Sequence, residues 1–476
     1  MVFSSAIFLF YFLPLFLAGY VVVPQRFRNL YTTILSVIFY AWGAPSFLFI
    51  FLGSCLADYL IAKKLRVVES ESQRRAFMWA STLLNVGLLM YFKYTNFFVE
   101  QLALVAKTLG CTLPQWHKVA LPIGISFFTF HKISYVVDVF RRTSSPARNF
   151  GEYLLYITFF PQLIAGPIVR YHEIEEQIRN RSLSWNGFTE GAWRFVLGLG
   201  SKVLIADPLA SVADHVFEQA PLAVSVGYSW IGAIAYTMQI YFDFAGYSSM
   251  AVGLALMIGF RFPENFNHPY LAVSITDFWR RWHISLSRWM RDYLYIPLGG
   301  NRVGPTRQMV NLWAVFLVSG FWHGAEWTFI AWGAYHGVFL ALERTAIGKR
   351  YLSLPCLLRR ICTLLLVMFG WILFRSATLG EALERWLRMC GVRGADTLVV
   401  PRASIISDVG LSMLIFAGVW CLVVEPFLER LKRQQPELVP LYHRMPLLYP
   451  LLVIVCLLSL LVVEAGKYSP FIYFQF

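Results

Sequence analysis

The chain has 476 residues, of which 58% are hydrophobic and only 14% are charged, and its mean hydropathy is +0.57. These values exclude an ordinary soluble globular protein and indicate a polytopic membrane protein. The formal net charge of +14 does not indicate a nucleic-acid-binding protein. The basic residues lie between hydrophobic spans, where anionic lipid headgroups and membrane orientation explain them.

Apolar runs that could span the hydrocarbon core, or form the centre of a span, recur along the whole chain. They cover 6–23, 31–50, 79–92, 228–260, 361–374, 409–424 and 447–463. We expect an all-α fold of about ten to thirteen membrane-embedded helices, some broken, re-entrant or interfacial, around a central tunnel. Because no polar segment is long enough to bury a core of its own, we predict a single membrane domain over 1–476, with a catalytic core over roughly 120–345.

Basic clusters follow the first, third and fifth predicted spans. They are Arg26 with Arg28, the five lysines and arginines within 63–75, and the three arginines within 141–148. By the positive-inside rule we expect these three loops to be cytoplasmic and the N-terminus to lie outside.

Asp243 interrupts an apolar run, 228–260, that is longer than one membrane span requires. An acid that faced lipid would be costly, so the sequence predicts a break or bend there, with Asp243 facing protein or water. The alternative to a catalytic role is a structural hydrogen-bond anchor between helices.

The segment 278–295 interleaves arginines with tryptophan, leucine and tyrosine at helix-like spacing. Such a pattern is typical of a helix that lies at the membrane interface or lines a re-entrant cavity. Arg281 and His283 belong to it. A purely interfacial helix with snorkelling arginines is the alternative, and His283, set among apolar neighbours, favours a functional role.

His323 lies in the sequence Gly-Phe-Trp-His-Gly-Ala-Glu-Trp, between two long apolar stretches. An ionisable group at membrane depth is a functional hypothesis by default, and histidine can take or give a proton near neutral pH. The alternative is a histidine satisfied by hydrogen bonds between helices. His131 and His336 are further polar intrusions, for which a structural contact is the simpler interpretation.

Motifs of several enzyme classes are missing from the sequence. It has no HExxH, no Walker-type glycine loop, no GxSxG elbow, and no histidine followed five positions later by an aspartate. The seven cysteines are scattered without a CxxC pair, which favours buried free thiols. We expect no bound metal.

Short motifs along the whole chain are similar to those of a known protein family. They are Met-Val-Phe-Ser-Ser at 1–5, Phe-Lys-Tyr-Thr-Asn-Phe at 92–97, Leu-Pro-Ile-Gly-Ile-Ser-Phe at 121–127, Ala-Gly-Pro at 165–167, Asp-Phe-Trp-Arg-Arg-Trp-His-Ile-Ser-Leu-Ser at 277–287, Gly-Gly-Asn-Arg at 299–302, Trp-His-Gly-Ala at 322–325 and Phe-Ile-Tyr-Phe-Gln-Phe at 471–476. Together they resemble the membrane-bound O-acyltransferase (MBOAT) family, in particular its branch that acetylates bacterial alginate and cellulose.

The resemblance implies a membrane O-acetyltransferase of the bacterial inner membrane. It would take acetyl from a cytoplasmic donor, with acetyl-CoA as a substrate rather than a resident cofactor, and pass it across the bilayer for O-acetylation of an exported polysaccharide such as alginate. Implied partners are a periplasmic acetyltransferase, the polysaccharide biosynthesis machinery and membrane lipids, with no nucleic acid. Cellulose and peptidoglycan are alternative acceptors, and a non-catalytic acyl or glycan transporter subunit is the alternative from another class.

The family's catalytic histidine maps onto His323 and its second characteristic polar position onto His283. Asp243, Trp322 and Arg281 are the candidates for lining the tunnel. We expect neutral His323 to accept the proton of the acceptor hydroxyl as it attacks the thioester carbonyl, and the imidazolium then to protonate the leaving thiolate. His283 would either orient the acceptor or donate a hydrogen bond to the oxyanion, for which nearby tryptophans and tyrosines are rivals.

Overall fold

The computed structural model describes residues 1–111, 114, 116–392, 406–434, 448–466 and 471. Within these ranges the regular elements are helices, and no strand occurs. The predicted all-α fold is confirmed. The chain forms two compact units, of which unit 1 is Met1–Phe188 with Leu254–Pro263 and unit 2 is Thr189–Gly253 with Glu264–Phe476. The single membrane domain stays a prediction, and all of the closing motif except Phe471 lies outside the described residues.

Unit 1 is built from helices α1 to α9. They are α1 (Leu13–Val22), α2 (Arg28–Gly43), α3 (Leu48–Val67), α4 (Glu71–Leu89), α5 (Thr95–Thr108), α6 (Ile125–Phe140), α7 (Phe150–Thr158), α8 (Phe160–Leu163) and α9 (Tyr171–Arg179). Buried aromatic side chains from α1, α2 and α8 form much of its core.

The helices that lie wholly or mainly in unit 2 are α10 to α22. They are α10 (Trp185–Gly200), α11 (Asp207–Phe217), α12 (Val226–Met257), α13 (Ile275–Arg281), α14 (Ile284–Met290), α15 (Pro305–His323), α16 (Trp327–Leu342), α17 (Ala346–Leu352), α18 (Cys356–Arg375), α19 (Leu379–Met389), α20 (Asp408–Val419), α21 (Glu425–Gln434) and α22 (Tyr449–Glu464). Unit 2 contains all of the predicted catalytic and tunnel residues.

Five helical stretches among the described residues are long and apolar enough to cross a membrane. They are Pro45–Val67, Trp185–Phe217, Val226–Met257, Cys356–Arg375 and Asp408–Leu431. Three shorter apolar helices accompany them, at Ile7–Val22, Trp327–Leu342 and Tyr449–Glu464. The chain is a multi-pass membrane protein, as predicted.

Helix α12 runs without interruption through Asp243, so the predicted break was wrong. The Asp243 side chain is buried, and its Oδ1 lies 3.1 Å from Nζ of Lys202. Lys202 belongs to a π-helical turn, Ser201–Ala206, and also bonds Asp207. Because Lys202 provides a buried cation beside the Asp243 carboxylate, the helix has no need to unwind there. This placement is that of a structural anchor between helices.

Two short helices and a π-helical turn occupy the basic aromatic segment that the sequence predicted as one helix. They are α13, α14 and Arg291–Tyr295. Two groups fix the start of α13, since Ser274 accepts from the backbone N–H of Asp277 and the carboxylate of Glu343 accepts from the first backbone N–H groups of α13. Glu343 immediately follows α16, so this cap joins α13 to the end of α16.

Candidate active site

His323 is the last residue of α15, and its position follows from the packing of α15 against α16. The chain leaves the helix at Gly324, which is extended, and α16 begins three residues later. Gly320 and Gly333 allow the two backbones to meet, because a Cβ on Gly320 would lie 2.4 Å from the carbonyl oxygen of Phe329 and a Cβ on Gly333 would lie 2.3 Å from that of Phe316. Glycines at such contacts let helices approach closely in membranes.

Substitution of Gly320 by valine is expected to lower the thermal unfolding midpoint and the yield of folded protein. Overpacking typically costs about 1–3 kcal/mol, and here the obstacle is backbone, which cannot rotate away. Gly304, at the start of the same helix, has no atom within 4 Å of its Cβ position and is the matched control as Gly304→Ala. The measurement is the unfolding midpoint in detergent. A Gly320→Val protein that melts with wild type would contradict the close contact.

Three aromatic rings surround the His323 imidazole, which is 5% exposed. The ring centroids of Trp322, Trp332 and Phe374 lie 4.8, 5.0 and 5.3 Å from it, each near edge-to-face. The C-terminus of a helix favours positive charge. An imidazolium formed when His323 accepts a proton is therefore stabilised by α15 itself, and the aromatic rings exclude water from it.

His283 occupies the junction between α13 and α14, in a left-handed backbone conformation with φ of 43°. Only a few per cent of residues other than glycine adopt positive φ, and such strain concentrates at functional sites. The side chain is fully buried, and burial lowers the pKa of the His283 imidazole to about 3. Its ring is therefore neutral near pH 7. Nδ1 of His283 lies 3.4 Å from Oδ1 of Asn265.

Trp322 joins the two histidines. Its ring centroid lies 6.3 Å from that of His283 and 4.8 Å from that of His323. Trp322 therefore lies beside both histidines, whereas its predicted role in lining a tunnel stays a prediction. Trp332 completes the group, since its indole Nε1 is buried without a hydrogen-bond partner in the described part of the chain. The arrangement brings together two imidazoles and at least one N–H donor.

Arg281, His336 and His131 are the other polar residues that the sequence singled out. Arg281 is held by Asp277, 3.1 Å away, and by Glu429, 3.4 Å away, which are structural contacts of α13. His336 packs its ring 5.1 Å from Trp279 and 5.0 Å from Trp332, one aromatic ring removed from His323, and neither of its nitrogens has a hydrogen-bond partner in the described residues. His131 lies in unit 1, against Tyr156.

A cavity of about 220 Å³ lies between α13, α14, α15 and α16. Its walls are mostly apolar, with Trp279 and Phe316 among them, and Ser319 lines the part nearest the His323 end of α15. Arg291 and Arg344 line it as well. Trp279 also contacts Trp332, at 5.6 Å between ring centroids, so one aromatic layer separates the cavity from the surroundings of His323. Among the described residues, no group of three or more His, Cys, Asp or Glu side chains is placed to hold a metal ion.

Asn265 and Phe374 are the site residues that sequence reasoning missed. Asn265 precedes His283 by 18 positions and meets it only because the backbone turns at His283. Phe374 reaches His323 from α18, 51 residues further along the chain. Asn265 lies in the polar segment that follows the apolar run 228–260, but nothing in that segment distinguishes it from its polar neighbours. Phe374 belongs to none of the motifs.

A buried histidine at a helix end, inside a multi-pass membrane protein, is a site suited to proton transfer during acyl transfer. The family model described as MBOAT, membrane-bound O-acyltransferase family, matches residues 128–353. Two relatives bear the name probable alginate O-acetylase AlgI. The chain is 41% identical over 497 residues to the one from Pseudomonas putida, with 100% of both chains covered, and 47% identical over 386 residues to the one from Pseudomonas syringae pv. tomato, covering 80% of this chain and 74% of that protein.

The peptidoglycan O-acetyltransferase of Helicobacter pylori is 37% identical over 431 residues, which cover 83% of this chain and 81% of that protein. The chain belongs to the membrane-bound O-acyltransferase family. It is a membrane O-acyltransferase, and the predictions of family and enzyme class are confirmed. That result disfavours the alternative of a transporter subunit without chemistry of its own.

Proposed function

We propose that this protein takes acetyl from cytoplasmic acetyl-CoA and passes it across the bacterial inner membrane for O-acetylation of an exported polysaccharide such as alginate. The observation that carries the proposal is the placement of two buried histidines on one tryptophan, Trp322, in a chain similar over its full length to proteins named as alginate O-acetylases. The proposed partner that completes transfer to the polymer is a periplasmic acetyltransferase.

His323 acts as the general base. Its neutral imidazole accepts the proton of the acceptor hydroxyl while the hydroxyl oxygen attacks the thioester carbonyl. The tetrahedral intermediate then collapses, the C–S bond breaks, and the imidazolium returns the proton to the thiolate of CoA. The position of His323 at the end of α15 supports this cycle, because the helix dipole favours the imidazolium that must exist between the two transfers.

The position of the cavity beside α15 supports an acetyl donor that enters from the cytoplasm. Arg344 follows the end of α16 that is remote from His323. The segment 344–360 contains five basic residues, counting those at both of its ends, and the positive-inside rule assigns it to the cytoplasm. From there the cavity reaches Ser319, about one helical turn, or 6 Å, from His323 along α15. Apolar walls suit a pantetheine arm, and guanidinium groups suit phosphates.

Replacing both cavity arginines, as Arg291→Gln with Arg344→Gln, is expected to raise the KM for acetyl-CoA about tenfold with little change in kcat, since exposed charge-assisted contacts to phosphate contribute roughly 1 kcal/mol or more. Acetyl-pantetheine carries no phosphate and is the matched control substrate. Its KM should be the same for the variant and the wild type. Equal effects on both substrates, or none on either, would contradict phosphate recognition by these arginines.

The acceptor is tested in cells. A strain that lacks the gene is complemented with wild-type protein or with His323→Ala, and acetyl esters are measured separately on alginate, cellulose and peptidoglycan. Loss of esters from alginate alone supports the proposal. Loss of esters from peptidoglycan alone would identify peptidoglycan as the acceptor, which is the polymer in the name of the Helicobacter pylori relative. Unchanged esters on all three polymers, with normal amounts of protein, would overturn it.

A further inference from the structure

We infer that Asn265 fixes His283 as the tautomer that carries its hydrogen on Nδ1, so that Nε2 of His283 accepts a hydrogen bond from substrate. His283 then holds an O–H or N–H group of a substrate and does not stabilise the oxyanion. Asn265 is a positioning residue in this scheme. The substrate half of the inference rests on the proposed function, whereas the tautomer is a property of the protein alone.

The orientation of the Asn265 amide is determined by Ser285. The backbone N–H of Ser285 lies 3.1 Å from Oδ1 of Asn265, and the Ser285 hydroxyl lies 2.6 Å from the same atom. A backbone N–H can only donate. The amide atom that faces Ser285 is therefore the carbonyl oxygen, and the usual ambiguity between the oxygen and nitrogen of an asparagine is removed.

The same oxygen is the partner of the His283 ring, with Nδ1 at 3.4 Å. An amide oxygen only accepts, so Nδ1 must carry the hydrogen. The ring is buried, and burial disfavours a second proton. A neutral imidazole has one N–H, so Nε2 presents a lone pair. A lone pair repels a developing oxyanion, whereas it accepts from a hydroxyl or an amide N–H.

Backbone hydrogen bonds keep the two residues in register. The carbonyl oxygen of Asn265 accepts from the N–H of Ile284 at 3.0 Å, and the N–H of Asn267 donates to the carbonyl oxygen of Arg281 at 3.0 Å. These bonds connect residues 265–267 to the backbone on both sides of His283, whose φ is the left-handed one described above. Asn265 itself is 1% exposed. The asparagine thus supports the backbone of His283 and sets the hydrogen on its ring at the same time.

The attacking hydroxyl has one hydrogen, which goes to His323. The group held by His283 is therefore a different donor, and two sources have the required chemistry. One is a second hydroxyl of the acceptor, and the other is an amide N–H of the pantetheine arm of the acyl donor. The separate KM values of acceptor and acyl donor distinguish them.

The tautomer is tested directly by nitrogen NMR of wild-type protein labelled with [15N]histidine, in which the signals of His283 are those missing from His283→Ala. The expected result is a protonated Nδ1 and an unprotonated Nε2 at neutral pH. A protonated Nε2 would overturn the inference, whether or not acetyl transfer is observed. This measurement needs no substituted Asn265, so it does not depend on the folding of a variant.

The role is tested with Asn265→Leu, which has a similar shape and cannot accept a hydrogen bond. We expect the KM of one substrate to rise at least tenfold. Asn265→Asp retains an acceptor oxygen, so its KM should lie much closer to the wild-type value. Asn311 is equally buried, on α15, and its side chain has no hydrogen-bond partner in the described residues, so Asn311→Leu is the control for loss of a buried amide. A fall in kcat with both KM values unchanged would assign His283 to the oxyanion and overturn the inference.

Discussion

Replacement of His323 by alanine is expected to lower the kcat of acetyl transfer by about 10²- to 10⁴-fold, the usual contribution of a general base. The hydroxyl would then have to lose its proton beside the rings of Trp322, Trp332 and Phe374, which cannot act as bases. The measurement is transfer or hydrolysis of acetyl-CoA by purified protein in lipid vesicles. The amount of inserted protein should match the wild type, because His323 is held by ring contacts that a small cavity weakens but does not abolish.

His336→Ala is the matched control. This histidine is as buried as His323, lies in the same aromatic cluster, and leaves a cavity of the same size when it is truncated. We expect its kcat to fall by less than tenfold, since packing is perturbed without removal of the base. Equal losses in the two variants would show that the cluster matters only for packing. Normal turnover by His323→Ala would remove the base from the mechanism altogether.

The sequence was sufficient to predict what depends on composition and local motifs. The all-α membrane fold follows from the density of apolar runs, and His323 follows from the cost of an imidazole between them. Its position at a helix end is also local, because Gly324 stops α15 at the next residue. The same holds for Trp322, which the sequence places beside His323.

Predictions that depended on distant partners were less successful. A continuous α12 was not expected, because the cation that balances Asp243 comes from Lys202, 41 residues earlier in the chain. Asn265 was missed for the same reason, since its bond to His283 requires a left-handed turn that no pattern of apolar residues indicates. Partners from distant parts of the chain stabilise buried polar groups that are unfavourable on their own. The energetic cost of burying such a group therefore does not by itself predict the local backbone conformation.

The two histidines leave one chemical need unmet. If His323 is the base and His283 presents a lone pair, neither can donate to the oxygen of the tetrahedral intermediate. That oxygen requires a buried N–H or O–H close to His323. The indole Nε1 of Trp332 meets the requirement, because its ring centroid is 5.0 Å from that of His323 and the N–H has no hydrogen-bond partner among the described residues. A buried donor without a partner is costly unless a ligand uses it.

Substitution of Trp332 by phenylalanine is therefore expected to lower kcat by about 10²- to 10³-fold, the typical effect of losing one oxyanion donor, with little change in KM. Trp230→Phe is matched for the lost volume, and it breaks a structural hydrogen bond from the indole to the carbonyl oxygen of Met389, at 3.0 Å. The control should lose stability and keep its kcat. Trp332→Phe breaks no hydrogen bond to the described residues, so its unfolding midpoint should fall no further than that of the control.

Kinetic data then separate donation from packing. An oxyanion donor acts only once charge has moved onto the oxygen, so its loss lowers kcat and kcat/KM equally. A residue that merely shapes the pocket would change KM as well, and its defect would follow the unfolding midpoint. If Trp332→Phe retains wild-type kcat, the donor must be sought at Trp322, the other indole beside His323. The Nδ1-protonated form of His283 would still exclude that imidazole as the donor to the oxyanion.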